Sequence, residues 1–137
     1  ADRHLAEAAA AGPSPVAWLQ FGFAMLDLGK WAVAEEAFER VLSADPDSSQ
    51  ARVGLGAASA GRGDLERAEN MLAEAAQAGR VSPAAILLLA TVQADRGRTE
   101  AARATAMRLL DESGDSAPSV RLAARTLLDD LRRPAAR

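Results

Sequence analysis

The residue types that could carry chemistry are few and poorly placed for it. His4 is the single histidine, and the 137 residues include no cysteine and no tyrosine. An activated nucleophile needs a base within hydrogen-bond reach, and His4 has no candidate partner beside it, so it reads as a surface residue of a terminal helix. The acid pairs Glu35-Glu36 and Asp129-Asp130 are adjacent in sequence. On a helix adjacent side chains point about 100° apart, so neither pair converges on a substrate. Asp45-Pro46-Asp47-Ser48-Ser49 has the acidity of a calcium loop but lacks the further carboxylates and the glycine of that loop. Turn and cap chemistry explains it instead. No glycine-rich phosphate loop follows a strand pattern, so no catalysis, cofactor or metal is expected. Arg132-Arg133 and Arg137 read as a short tail.

The elements that would position any site must therefore be read from pattern. Hydrophobic residues make up 49% of the chain and aromatic ones 4%. That fraction supports one folded core, and the scarcity of strand-forming runs favours helices. The net charge is −3, with arginines interspersed among acids rather than gathered in a stripe, which disfavours nucleic acid as a partner. No stretch approaches a membrane span, so a soluble chain is expected, its compartment (cytoplasm or periplasm) left open. The chain opens on Ala1 rather than Met, as a processed or excised chain would.

A 34-residue period organises the sequence. Gly29, Gly63 and Gly97 share it, as do Ala34, Ala68 and Ala102, the apolar series Phe21, Leu55 and Leu89, and the serines Ser14, Ser48, Ser82 and Ser116. The serines precede apolar runs and suit helix N-caps, two of them followed by Pro15 and Pro83. The glycines suit helix ends, with Asp64 and Thr99 as caps of the helices that follow. This punctuation predicts helix pairs at 15–28 with 31–44, 49–61 with 65–78, and 83–96 with 99–112, then a seventh helix near 117–131. Leu5-Ala6-Glu7-Ala8-Ala9 matches Leu72-Ala73-Glu74-Ala75-Ala76, so residues 1–14 read as the truncated helix of a preceding unit. Units then cover 15–48, 49–82 and 83–116, a capping helix 117–131 and a tail 132–137. In the capping helix, Val120, Ala123, Ala124, Leu127, Leu128 and Leu131 form an apolar stripe opposite Arg121, Arg125 and Asp129.

These residues resemble the tetratricopeptide repeat family. The first unit carries Trp18, Phe21, Gly22, Met25, Gly29, Trp31, Ala34, Phe38, Val41 and Asp45-Pro46 at the family's signature places. The second keeps Leu55, Gly56, Gly63, Leu65, Ala68, Leu72 and Ala75 but has Arg52 at an apolar position. The third keeps Ile86, Leu89, Ala90, Gly97, Ala102 and Leu109, with Thr99 and Ala106 where larger residues are usual. The resemblance covers about 15–131. It implies an all-α, right-handed α-solenoid of antiparallel helix pairs, with Gly22, Gly56 and Ala90 in one register facing Ala34, Ala68 and Ala102 and letting paired helices approach closely.

The resemblance also implies a concave groove lined by first helices: Val16, Leu19, Phe23 and Leu26, then Gln50, Val53 and Ala57, then Ala84, Leu87 and Thr91. Members that capture a C-terminal carboxylate use Lys, Arg and Asn at comparable places, whereas here Arg52 is the one such residue well inside these helices. The groove is instead apolar, and each large side chain left in water forgoes roughly 1.5–3 kcal/mol of burial. The expected activity is non-enzymatic: a scaffold or adaptor that binds an apolar peptide or amphipathic helix of a protein partner within a larger assembly. The Ala- and Arg-rich composition suits a bacterial origin, with envelope, secretion or polysaccharide-export assemblies as settings. A self-associating scaffold, forming a homo-oligomer, and the recruitment domain of a longer enzyme are the alternative readings.

Overall fold

The computed structural model describes residues 14–79 and 81–133, which fold into seven helices and no strand. They are α1 (Pro15–Asp27), α2 (Trp31–Ala44), α3 (Ser49–Gly61), α4 (Leu65–Gln77), α5 (Pro83–Asp95), α6 (Thr99–Ser113) and α7 (Pro118–Arg132). The helix expected before Ser14, His4 within it, and Arg137 in the tail lie outside the described residues.

Local chemistry sets the boundaries. The hydroxyls of Ser14, Ser48 and Ser82 accept the N–H groups of Ala17, Ala51 and Ala85 at 3.2, 3.2 and 3.3 Å. Asp64 does the same for Arg67 at 3.3 Å. Gly29, Gly63 and Gly97 follow their helices with φ of 72°, 85° and 78°, a left-handed turn that a Cβ would oppose.

Two expected caps are corrected. Thr99 is the first residue of α6 and not its cap; Arg98 stands at that position and has no acceptor to offer. Ser116 does not cap α7 either, because α6 runs on to Ser113 and the turn starts later. The Ser116 hydroxyl bonds back to the Ser113 carbonyl, and Ala117 enters α7 with φ 52° and ψ 59°.

Each helix packs on the next in sequence, which stacks the pairs into an all-α solenoid. Within a pair, a small residue on the first helix faces a residue of complementary size on the second. A Cβ on Gly22 would lie 2.7 Å from Phe38 Cε1, and one on Gly56 would lie 2.6 Å from Leu72 Cγ. In the third pair Ala90 and Ala106 are both fully buried in one cluster with Leu128. The series Gly–Phe, Gly–Leu and Ala–Ala explains why Ala106 occupies a place usually held by something larger. Ala34, Ala68 and Ala102 are fully buried, as the close approach requires.

Arg52 is held by its surroundings, with Nη2 donating to the Pro46 carbonyl at 2.6 Å and Nε 3.7 Å from Glu74. On α7, Ala124 and Leu128 are buried, with Val120 and Leu127 packed beside them. Arg121 departs from the polar outer face expected for it. Its Nη1 turns inward to the Leu110 carbonyl at 2.7 Å and to Ser113 Oγ at 2.8 Å, satisfying acceptors at the end of α6. Leu122 is left 65% exposed.

Candidate functional site

Because the connecting turns are short, α1 lies against α3, α3 against α5, and α5 against α7. The first helices of successive pairs therefore form one continuous face. At its middle is a recess of roughly 270 Å³ lined by Phe23 from α1, Ser49, Gln50 and Val53 from α3, and Val81 and Ser82 at the entry to α5. None of the six side chains is charged. The recess is suited to an apolar side chain, with hydroxyl and amide groups at its edge.

Phe23 is 37% exposed and rests edge-on against Phe38, ring centroids 5.0 Å apart at 67°. This contact fixes one wall of the recess to the hydrophobic core. Of the ten residues expected to line a groove, Phe23, Gln50 and Val53 meet here. The others are distributed along the same three helices. Val16 is 60% exposed, Ala84 and Thr91 are exposed, and Ala57 is half-buried. Leu19 and Leu26 pack partly into the core around Phe38, and Leu87 into the cluster around Ile86, so the fold itself covers much of their surface. Ser49, Val81 and Ser82 were not read from the sequence as groove residues, because they sit at the entries to helices. Val81 and Ser82 reach the recess because the start of α5 lies beside α3.

Two buried acids fix the spacing of the face. Glu35 on α2 accepts both oxygens' bonds from Arg62 Nη1 at 3.1 and 3.2 Å, and a third from Arg67 Nη1 at 2.9 Å. One period later, Glu69 on α4 accepts from Arg96 at 2.8 Å, from Arg98, and from Gln93 at 3.4 Å. Arg62 and Arg96 stand at the C-terminal ends of α3 and α5. Each acid thus ties a second helix to the end of the next first helix. Burial alone would raise the Glu69 carboxyl, but the bonds from Arg96, Arg98 and Gln93 outweigh it and hold the group below its ordinary range. The Arg67 guanidinium is held above its usual value, first by its hydrogen bond to Glu39. Both acid–arginine pairs are 27 residues apart, a repeated spacing that was present in the sequence and not read from it.

The sequence profile of the tetratricopeptide repeat matches residues 25–84 and again 59–128. No curated protein sequence matches the chain. Among solved structures, the chain is similar to PcrH from Pseudomonas aeruginosa, with TM-score 0.79, 18% identity, and 87% of this chain and 92% of that chain covered. It is also similar to the Yersinia enterocolitica type III secretion chaperone SycD, solved in complex with a peptide of the translocator YopD, with TM-score 0.77, 16% identity and coverage of 83% and 88%. The second repeat domain of human RPAP3, in complex with an HSP70 peptide, aligns with TM-score 0.73, 19% identity and coverage of 88% and 100%. At these identities the likeness is one of fold.

Proposed function

Since the chain belongs to the tetratricopeptide repeat family, we propose that it is a non-enzymatic scaffold that binds an apolar peptide or amphipathic helix of a protein partner along the face of α1, α3 and α5. The observation that carries this reading is the recess where Phe23, Gln50 and Val53 meet, uncharged among the described residues, with an aromatic ring part-exposed at its wall. An apolar anchor entering it would remove that ring from water, a gain of roughly 25 cal/mol per Å² buried. Among the described residues the lining offers no cation, which disfavours capture of a terminal carboxylate, since that needs cations at the point of contact. The two neighbours solved with bound peptides support peptide capture as the activity. A bacterial envelope, secretion or polysaccharide-export assembly is the setting we propose.

A peptide library displayed on phage and selected on the immobilised protein tests this. Wild-type protein should enrich apolar sequences, and a Phe23→Glu, Val53→Glu variant should lose them while keeping its helical circular dichroism. Enrichment of the same sequences by both proteins would overturn the reading.

A further inference from the structure

Val81 walls a second recess besides the one at Phe23 and Val53. This one holds roughly 230 Å³ and lies off the face of first helices, where the turn into α5 meets the end of α6. Its floor is apolar: Pro83 with Ile86 and Leu109, the last two at most 7% exposed and clustered with Ala124. Its rim is polar, made of Glu112, Ser113 and Ser116. Glu112 is the one charged group among the described residues of the lining, and its side chain is 54% exposed. The rim is held in place by its neighbours. Arg108 Nε donates to Glu112 Oε1 at 2.9 Å, Arg121 Nη1 donates to Ser113 Oγ at 2.8 Å, and the Ser116 hydroxyl donates to the Ser113 carbonyl.

We propose that this second recess takes a lysine or arginine of the bound peptide, its stem over Ile86 and Leu109 and its cationic head at Glu112. The inference rests on the peptide-binding reading above and adds a basic residue beside the apolar anchor. An apolar floor under an acidic rim matches a side chain that is apolar along its stem and charged at its tip. A wholly apolar side chain would strip water from the rim without replacing its hydrogen bonds, and an acidic one would meet Glu112 as a like charge. A carboxylate has about four acceptor positions on its two oxygens, so the entering head shares Glu112 with Arg108. That existing pair joins two exposed side chains one helical turn apart and is weak. The partition between the recesses is firm, because Val81 packs both on the buried cluster of Leu72 and Leu89 and on that of Ile86 and Leu109. Two residues of an extended peptide span about 7 Å, which carries the chain from an anchor beside Phe23 past this one side chain.

Two displayed peptide libraries, random except for a central leucine in one and a central aspartate in the other, test this on the immobilised full chain. Glu112→Gln removes the rim charge. Asp111→Asn removes the same charge from an exposed neighbour outside the recess. Both variants should keep the wild-type helical circular dichroism. Wild type and Asp111→Asn should enrich lysine or arginine within about three residues of the leucine by roughly threefold or more over the unselected library, the scale of a part-exposed ion pair. Glu112→Gln should retain the leucine library without that enrichment. Basic residues enriched equally by Glu112→Gln, lost equally in Asp111→Asn, or absent from the wild-type selection would overturn this inference and leave the apolar anchor standing. Failure of wild type to retain the leucine library above the aspartate one would instead sink the peptide-binding reading, and this inference with it.

Discussion

The Phe38 ring occupies the volume that a side chain on Gly54 would need. Phe38 projects from α2 and is fully buried, held between Gly54 on α3 and Gly22 on α1. The ring is thus a wedge shared by the first pair and the start of the second. The three helices that meet on it include two that form the recess.

Gly54→Ala tests the wedge. Alanine is the better helix former by about 1 kcal/mol, so the change would help an isolated α3. Here the ring cannot retreat, because Gly22 closes its other side. A net loss of about 1–2 kcal/mol is expected, seen as a lower thermal midpoint. Phe38→Leu removes the conflict, so the double variant should be more stable than the two separate losses predict. Strict additivity would show that the ring is not the obstacle.

The same contacts show what the sequence made legible. Cap serines, turn glycines and the small residues of the first helices are each fixed by chemistry within a few residues of themselves, so their period exposed the helices and the close pairing. Gly54 escaped notice because nothing recurs at its place one period on, where Leu88 stands. The Glu35 and Glu69 ties escaped for another reason. An acid and an arginine on separate helices resemble any other surface charges until packing brings them together. For the candidate site, Phe23, Gln50 and Val53 followed from helix register, whereas Val81 and Ser82 depended on how neighbouring units stack.

Glu69 gives a pH dependence with a definite sign. Its carboxyl is held below the ordinary value of 4.5, so the stability it contributes is complete above about that pH and is lost as pH falls through the lower, folded-state value. Glu69→Gln should destabilise the protein at neutral pH by about 1–3 kcal/mol, since Arg96 and Arg98 lose a charged acceptor. The gap between wild type and variant should narrow on acidification below about pH 4.5. Urea midpoints measured from pH 3 to 7 check this, and a gap that stays constant would assign the tie no electrostatic role.

Ser59 is fully buried on α3 and its hydroxyl has no hydrogen-bond partner among the described residues. One period later the position is Gln93, whose amide joins the Glu69 tie and accepts from Thr105 at 2.7 Å. The polar place is thus used in one pair and idle in the other. Ser59→Ala removes an unpaired hydroxyl and improves helix propensity, so a gain of about 1 kcal/mol is expected in chemical denaturation. A loss of that size would reveal a partner for the hydroxyl, such as a buried water.

At the junction of α6 with α7 the charge pattern is reversed. Arg103 stands where Glu35 and Glu69 stand in the earlier units, and Asp130 stands where Arg62 and Arg96 do. Arg103 donates to the Leu131 carbonyl at 3.4 Å and to Glu100 at 2.5 Å, so it still links α6 to the end of the following helix. Arg103→Glu would set an acid beside Glu100 and Asp130 and should destabilise the protein by about 1 kcal/mol, a modest value because this junction is partly exposed. Adding Asp130→Arg rebuilds the arrangement of the two earlier junctions. The double variant should therefore recover most of the loss, and the recovery should shrink in high salt. A double variant no more stable than Arg103→Glu alone would show that α7 is held by its Ala124 and Leu128 face, with the reversed charges playing no part.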